Sequence, residues 1–362
     1  MRIAAVFRSS FLIFGAILPF CAGQALAQGA GDNPAMYRGP DREQRLVEGA
    51  KKEGQVTVYS SMIADQALRP ILNGFEAKYP FVKPQYVRDD PPQQLQKVMA
   101  ESRASRMVVD VLESTGLEVP VRAANINQPF WSPQTEAYGP EHRDPENYWA
   151  PTRFSYLGAC YNTNLVKREE VPKNFDDFLD PKWKGKIAWS GTVIGAMLFI
   201  TGVRNFMGEE KALAYLQKLA KQDITSIASA NRVVVDRVMA GEHALCLDAF
   251  LHHPIISAHK GAPVAPLPLE PVLTVVSSVM LPKAPPHPYA AMLFIDYLLS
   301  KEGQARLQSA DYFPGHPDVP ASPDLDKIVP RKIGLKENYI SPAKMNSDLP
   351  KSRALYQELF AK

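Results

Sequence analysis

The sequence predicts an α/β protein of two domains, and three observations carry that expectation. Short apolar, strand-like runs alternate with amphipathic helical runs along most of the chain, the order that builds a parallel-type sheet covered on both faces. The 362 residues are enough for two domains, each with its own core. The alternation breaks once, over residues 147–156, where Tyr148, Trp149 and Pro151 interrupt it.

Taken in order, residues 41–53 carry Leu46 and Ala50 on one helical face, and 55–59 form the first convincing strand. A helix over 65–79 and a strand over 82–87 follow. Pro91 and Pro92 open a helix through Arg103, where the missing amide proton matters least. Residues 108–112 form a third strand, ending at Glu113-Ser114-Thr115-Gly116. After the break, 157–162 is a strand, 194–205 is apolar, 209–221 is a helix and 224–227 a short strand. A valine-rich helix opens at Ser229-Ala230-Asn231-Arg232 and ends near Gly241. Residues 243–247 form a strand, Asp248 to Pro254 follow it, and an apolar helix runs to Lys260. Residues 263–271 are extended, 273–281 form a strand, and 289–310 read as one long amphipathic helix. The remainder, from Asp311, is proline-rich and is expected to wrap the first domain.

Composition narrows the class. Hydrophobic residues at 46% with charged residues at 22% describe an ordinary globular chain rather than a disordered one. The 41 basic residues fall to 39 once Arg2 and Arg8 are set aside, against 38 acidic ones, so charge gives no case for nucleic acid or an anionic membrane as partner. Those two arginines precede an apolar run over 11–22 that is too short to span a bilayer, and Ala25-Leu26-Ala27 offers a cleavage site. Residues 1–27 therefore read as a signal peptide, and no later apolar run is long enough to embed the chain in a membrane. Cys160 and Cys246 remain after cleavage. Two buried free thiols are the preferred expectation, with a bridge chemically open to an exported protein.

One stretch organises the second half. Phe175, Phe178 and Leu179 sit at helical spacing after Asn174, Asp180-Pro181 ends the helix, and Lys186-Ile187-Ala188-Trp189 is a strand. Ser190-Gly191-Thr192 is a tight loop before an apolar helix, and a helix start with free amides suits an anion. The run Phe175-Asp-Asp-Phe-Leu-Asp-Pro-Lys-Trp-Lys-Gly-Lys-Ile-Ala-Trp-Ser190 resembles the periplasmic solute-binding proteins of ABC importers, in the branch that includes the ferric-ion-binding proteins. Phe294-Ile-Asp-Tyr-Leu-Leu-Ser-Lys-Glu-Gly-Gln304 is similar to a late helix of the same family.

The resemblance implies a type II periplasmic binding protein: two lobes, a hinge and a ligand cleft between them. Lobe 1 would comprise 28–152 with 280–362, and lobe 2 would comprise 153–279. It also implies a periplasmic monomer that captures a small molecule and hands it to an inner-membrane ABC permease. The iron-binding members carry adjacent tyrosines after the strand matching 243–247. Here that place reads Phe250-Leu251-His252-His253, so those ligands are not carried over.

The residues themselves favour an anionic organic ligand, with ferric iron or another metal as the alternative. Ligands of open α/β sheets bind at the carboxyl ends of strands. Ser60, Ser61, Ser114 and Thr115 lie at such ends in the first half, and Ser190, Gly191, Thr192, Asn231, Arg232, Asp248 and His252 in the second. Arg232 suits a bidentate clamp on a carboxylate or phosphate, and Arg153 is a further anion partner. Trp189, Tyr156 and Phe250 are candidate apolar walls. His252 and His253, with Asp248 nearby, are the metal alternative. No nucleophile elbow, zinc-protease helix or phosphate loop is present, so no catalytic activity and no cofactor are expected. A periplasmic sensor subunit would share the fold and the cleft.

Overall fold

The computed structural model describes residues 33–361, so the expected signal peptide lies outside the described residues. Twelve strands form one sheet: β1 (Gln55–Ser60), β2 (Lys83–Arg88), β3 (Val111–Ser114), β4 (Asn127–Gln128), β5 (Ala150–Asn162), β6 (Ile187–Ser190), β7 (Thr225–Ile227), β8 (Leu245–Phe250), β9 (Val264–Leu267), β10 (Val272–Pro282), β11 (Phe313–Pro314) and β12 (Glu337–Tyr339). The main order is β2-β1-β3-β10-β5-β8-β6-β7. β1 pairs in parallel with both β2 and β3, and β6 pairs in parallel with both β7 and β8. These two parallel wings are joined by the long antiparallel pair β5 and β10.

β5 is where the chain passes from one wing to the other. Its first half pairs with β10 from Ala150 to Leu157, and its second half pairs with β8 and β9. The run 147–156, where the alternation of strand and helix breaks, thus belongs largely to a 13-residue strand. Pro151 is accommodated beside the β-bulge between Ser277 and Ser278 of β10, where a missing ladder donor does least harm. β10 returns in the opposite sense over 11 residues that are all buried.

Each wing has its own core. Val58, Ile71, Phe75, Phe294 and Leu298 fill the first, and Phe178, Trp189, Ile200, Leu216 and Leu245 the second. Local chemistry sets the helix ends as expected. Gly54, at φ 71, closes the helix Arg42–Glu53, and the two prolines open Pro91–Arg103. The Asp180 side chain accepts from the Lys182 amide at 2.9 Å as the chain turns at Pro181.

Three expectations need correction. The helix over 289–310 is two helices, Pro288–Leu299 and Lys301–Ser309, because Ser300 adopts an extended ψ of 161° and its hydroxyl caps the second helix through the Gly303 amide. Cys160 and Cys246 are not free thiols: they are register partners in β5 and β8, 5.2 Å apart at Cα, and form a disulfide. The tail after Asp311 does not all return to the first wing. Its last helix, Pro342–Leu359, carries Leu349, Leu355, Tyr356 and Leu359 onto the second core, where Phe360 lies 4.5 Å from the Trp189 ring. The apolar stripe of that helix decides its partner.

Candidate functional site

The serine-bearing turns converge where the two wings meet. In the first wing, the last residue but one of β3 is Glu113, which is 1% exposed. The Ser60 hydroxyl donates to Glu113 Oε2 at 2.6 Å and Thr152 Oγ1 donates to Oε1 at 3.2 Å. Arg153 of β5 pairs with the same carboxylate and reaches Ser61 Oγ at 3.3 Å. The Thr115 and Ser277 hydroxyls lie 2.6 Å apart, and Ser114 is fully buried with its hydroxyl unpartnered among the described residues. Ser60 and Thr115 are therefore buried members of an internal network, and Ser61 is the half-buried one.

In the second wing, Asp248 lies within β8, since that strand extends from Leu245 to Phe250 rather than stopping at 247. The Ser190 amide donates to Asp248 Oδ2 at 2.8 Å, and the Asn231 side-chain amide donates to the Asp248 carbonyl at 2.5 Å. Ser190 Oγ lies 2.8 Å from Thr192 Oγ1 and donates to the Ser229 carbonyl at 2.6 Å. The Gly191 amide donates to the Ile227 carbonyl at 2.8 Å. Gly191 and Thr192 are half-buried. Asp248 Oδ1 has no partner among the described residues, and burial pushes this carboxyl up to about 8. Arg232, half-exposed, pairs with Asp236 one turn along its helix at 2.9 Å.

The two sides are joined by aromatic and imidazole rings. His252 opens the helix His252–His259 with its ring 4.4 Å from that of His253 and 4.8 Å from that of Tyr312. The Tyr312 hydroxyl accepts from the Ile63 amide of the first wing at 3.2 Å, and the Arg153 guanidinium stands 5.4 Å from the Tyr312 ring centre. Both histidines are buried and have Nδ1 unpartnered among the described residues. Burial lowers both: His252, also opposed by His253 and then by Arg153 and Arg232, lies well below the usual imidazole range, and His253, opposed by Arg232 and Arg153, falls to about 3. The pair is thus neutral at ordinary pH and flanked by two guanidinium groups.

Of the candidate walls, Trp189 is a core residue with no exposure, and Tyr156 stacks edge-on to Phe313. Phe250 is half-buried beside both histidines. Sequence reasoning missed Glu113 and Tyr312 as site residues. Glu113 carried a signal, standing one residue before Ser114 at a strand end. Tyr312 carried none, because its neighbours come from distant segments. Among the described residues, no three His, Cys, Asp or Glu side chains are grouped as a metal site requires.

Two wings of strand and helix joined by two long antiparallel strands match the architecture of two-lobed periplasmic binding proteins. The chain belongs to the bacterial extracellular solute-binding protein family, whose model matches residues 100–336. The family is a class of binding proteins, and no described helix is long and apolar enough to cross a membrane. The Fe(3+)-binding periplasmic protein of Serratia marcescens is 24% identical over 262 residues, covering 69% of this chain and 75% of that protein. Among solved structures, periplasmic AfuA from Actinobacillus pleuropneumoniae, with exogenous fructose-6-phosphate bound, matches with a TM-score of 0.73 at 23% identity, covering 85% of this chain and 99% of that one. Iron-bound HitA from Pseudomonas aeruginosa matches with a TM-score of 0.71 at 20% identity, covering 84% and 99%. These likenesses establish the shared fold.

Proposed function

We propose that this protein is the periplasmic component of an ABC importer that captures a small anionic organic molecule, such as a phosphate ester, and delivers it to an inner-membrane permease. The observation that carries the reading is the pair of arginines, Arg153 and Arg232, whose charges both bear on the buried His252–His253 pair at the lobe junction. Each guanidinium is also held by a carboxylate, Glu113 or Asp236, and either could turn its remaining donors to an oxyanion. Lobe 1 would run over 28–152 with most of 280–341, lobe 2 over 153–279, with the last helix packed on lobe 2. Ligand contacts from both lobes would favour the closed form that the permease reads.

The relatives support the class of ligand without fixing it, since AfuA was solved with a sugar phosphate and the Serratia protein is a ferric-ion binder. Hard ferric iron favours phenolate and carboxylate oxygen. Here the adjacent tyrosines are replaced by Phe250, Leu251, His252 and His253, which favours the organic anion. A thermal-shift screen against sugar phosphates, organic acids, phosphonates and ferric citrate tests this, because a ligand specific to the native state raises the midpoint. Arg232→Ala should weaken the best anion by about 1.5–3 kcal/mol, the range for hydrogen bonds to charged groups. Stabilisation by ferric salt alone, with none by organic anions, would overturn the reading in favour of iron.

A further inference from the structure

We propose that the C-terminal helix Pro342–Leu359 positions both candidate ligand loops, with Tyr356 bracing Ser190-Gly191-Thr192 and Met345 bracing Ser114-Thr115-Gly116. The inference rests on the reading of those loops as ligand contacts and adds the element that sets their spacing.

The helix is fixed to the second lobe by polar contacts as well as by its apolar stripe. Ser352 is fully buried, its hydroxyl 2.8 Å from Thr201 Oγ1 and accepting from Arg204 at 2.9 Å. Arg204 also donates to the Asp348 carbonyl at 3.3 Å. A turn beyond Ser352, the Tyr356 hydroxyl donates to Ser226 Oγ at 2.9 Å. The same Ser226 oxygen accepts from the Trp189 indole at 2.6 Å. Trp189 is the residue before Ser190, so a short chain of bonds runs from the last helix to the start of the loop.

The glycines of the two loops show how close the helix comes. A Cβ built on Gly191 would lie 2.7 Å from the Tyr356 hydroxyl, while its next neighbour, the Ile227 carbonyl, would be 3.6 Å away. Gly191 has no left-handed backbone, so the close approach of the Tyr356 hydroxyl is the contact that a larger residue there would have to displace. In the other lobe, a Cβ on Gly116 would lie 2.7 Å from Met345 Cε and 3.2 Å from Ile194 Cδ1. Gly116 has a φ of +78°, so its backbone favours glycine independently. Ile194 lies just beyond Thr192 in the loop that Tyr356 braces. One helix therefore touches the ligand-facing turn of each lobe, Met345 near its first turn and Tyr356 near its last. The two loops cannot separate without breaking the Met345 contact or shifting the helix on its second-lobe seat.

The test is a mutant cycle read by titration calorimetry, with fructose 6-phosphate and inorganic phosphate as probes on the mature chain. Gly191→Ala should weaken the better probe at least tenfold. Tyr356→Phe loses the bond to Ser226 along with the clashing oxygen and leaves ring atoms at ordinary contact distance, so it should weaken the probe about threefold, less than Gly191→Ala does. The Gly191→Ala, Tyr356→Phe pair should recover most of the lost affinity, a reversal that general destabilisation does not produce. Met345→Ala is an independent variant and should weaken the probe three- to tenfold while the unfolding transition stays cooperative. If wild type binds a probe and Gly191→Ala and Met345→Ala both bind within twofold of it, the positioning role is overturned and the anion reading stands. Should wild type bind neither probe while ferric citrate shifts its melting, the anion reading falls and this inference falls with it.

Discussion

Two buried carboxyls stand at equivalent places in the two wings and are treated in opposite ways. Glu113, one residue before the end of β3, is met by an arginine and two hydroxyls. Asp248, near the end of β8, is met by one backbone amide and no cation, and one of its oxygens has no partner among the described residues. Both are almost fully buried. Burying a carboxylate is costly unless a counter-charge and hydrogen bonds replace water, and a group that lacks them takes up a proton instead. The first wing thus holds a settled ion pair, whereas the second holds a carboxyl near its titration point.

Arg153 is where the contrast can be broken most forcefully. Arg153→Ala would strand Glu113 in the interior, and removal of one partner of a buried pair costs about 3–5 kcal/mol. Urea unfolding should show that loss as a lower midpoint at unchanged slope. Replacing both members, as Glu113→Gln with Arg153→Met, should restore most of the stability, because no uncompensated charge remains. A loss below 1 kcal/mol for Arg153→Ala would mean that Glu113 is not held as an ion, and the two wings would then be alike.

The next test sharpens the other half. The Asp248 carboxyl is raised to about 8, well above its value in an unfolded chain. Between those values the native state binds more protons than the unfolded one, so stability is full at low pH and is lost as pH rises toward 8. Glu118, raised to about 7 by burial, acts in the same direction and is still half-protonated at pH 7. The neutral histidines act oppositely: their folded values lie below the unfolded one, so their contribution is lost as pH falls below about 6.5. Asp248 is isolated by difference: across pH 7 to 8 wild type should lose roughly 1 kcal/mol more than a variant that lacks this carboxyl. Asp248→Asn keeps an acceptor for the Ser190 amide and should flatten that slope. An equal slope in the variant would place the titrating group elsewhere.

How much of this was legible in the sequence follows from the range of each interaction. The strand-then-serine pattern marked β1, β3 and β6, because strand propensity and helix capping are local. The Asp-Pro-Lys-Trp turn was legible for the same reason. What went unread was set by partners far apart in sequence. Glu113 meets Arg153 across 40 positions, and the Cys160–Cys246 bridge closes across 86. Tryptophan, tyrosine and proline around 148–151 look like a loop, yet Pro151 sits inside β5 because a bulge on β10 accommodates it. The seat of the last helix was misread because proline content says nothing about which core an apolar stripe will find.

The smallest expected effect comes from the second arginine, and it bears most directly on the difference between the wings. Arg232 and Arg153 both raise the potential around His252 and His253. Arg232 does so from a half-exposed position, paired with Asp236 on the next turn, where the side chains are 34% and 46% exposed. Such helix pairs contribute about 0.3–0.5 kcal/mol, reduced further by solvent and salt. Arg232→Ala should therefore leave the urea midpoint nearly unchanged while weakening an anion, so that affinity and stability separate. At Arg153 the two should fall together, since that side chain is both a structural counter-charge and a neighbour of the histidines. If Arg232→Ala cost as much stability as Arg153→Ala, the second wing would have a buried counter-charge of its own. The unpaired state of Asp248 would then have to be traced to something other than the lack of a nearby cation.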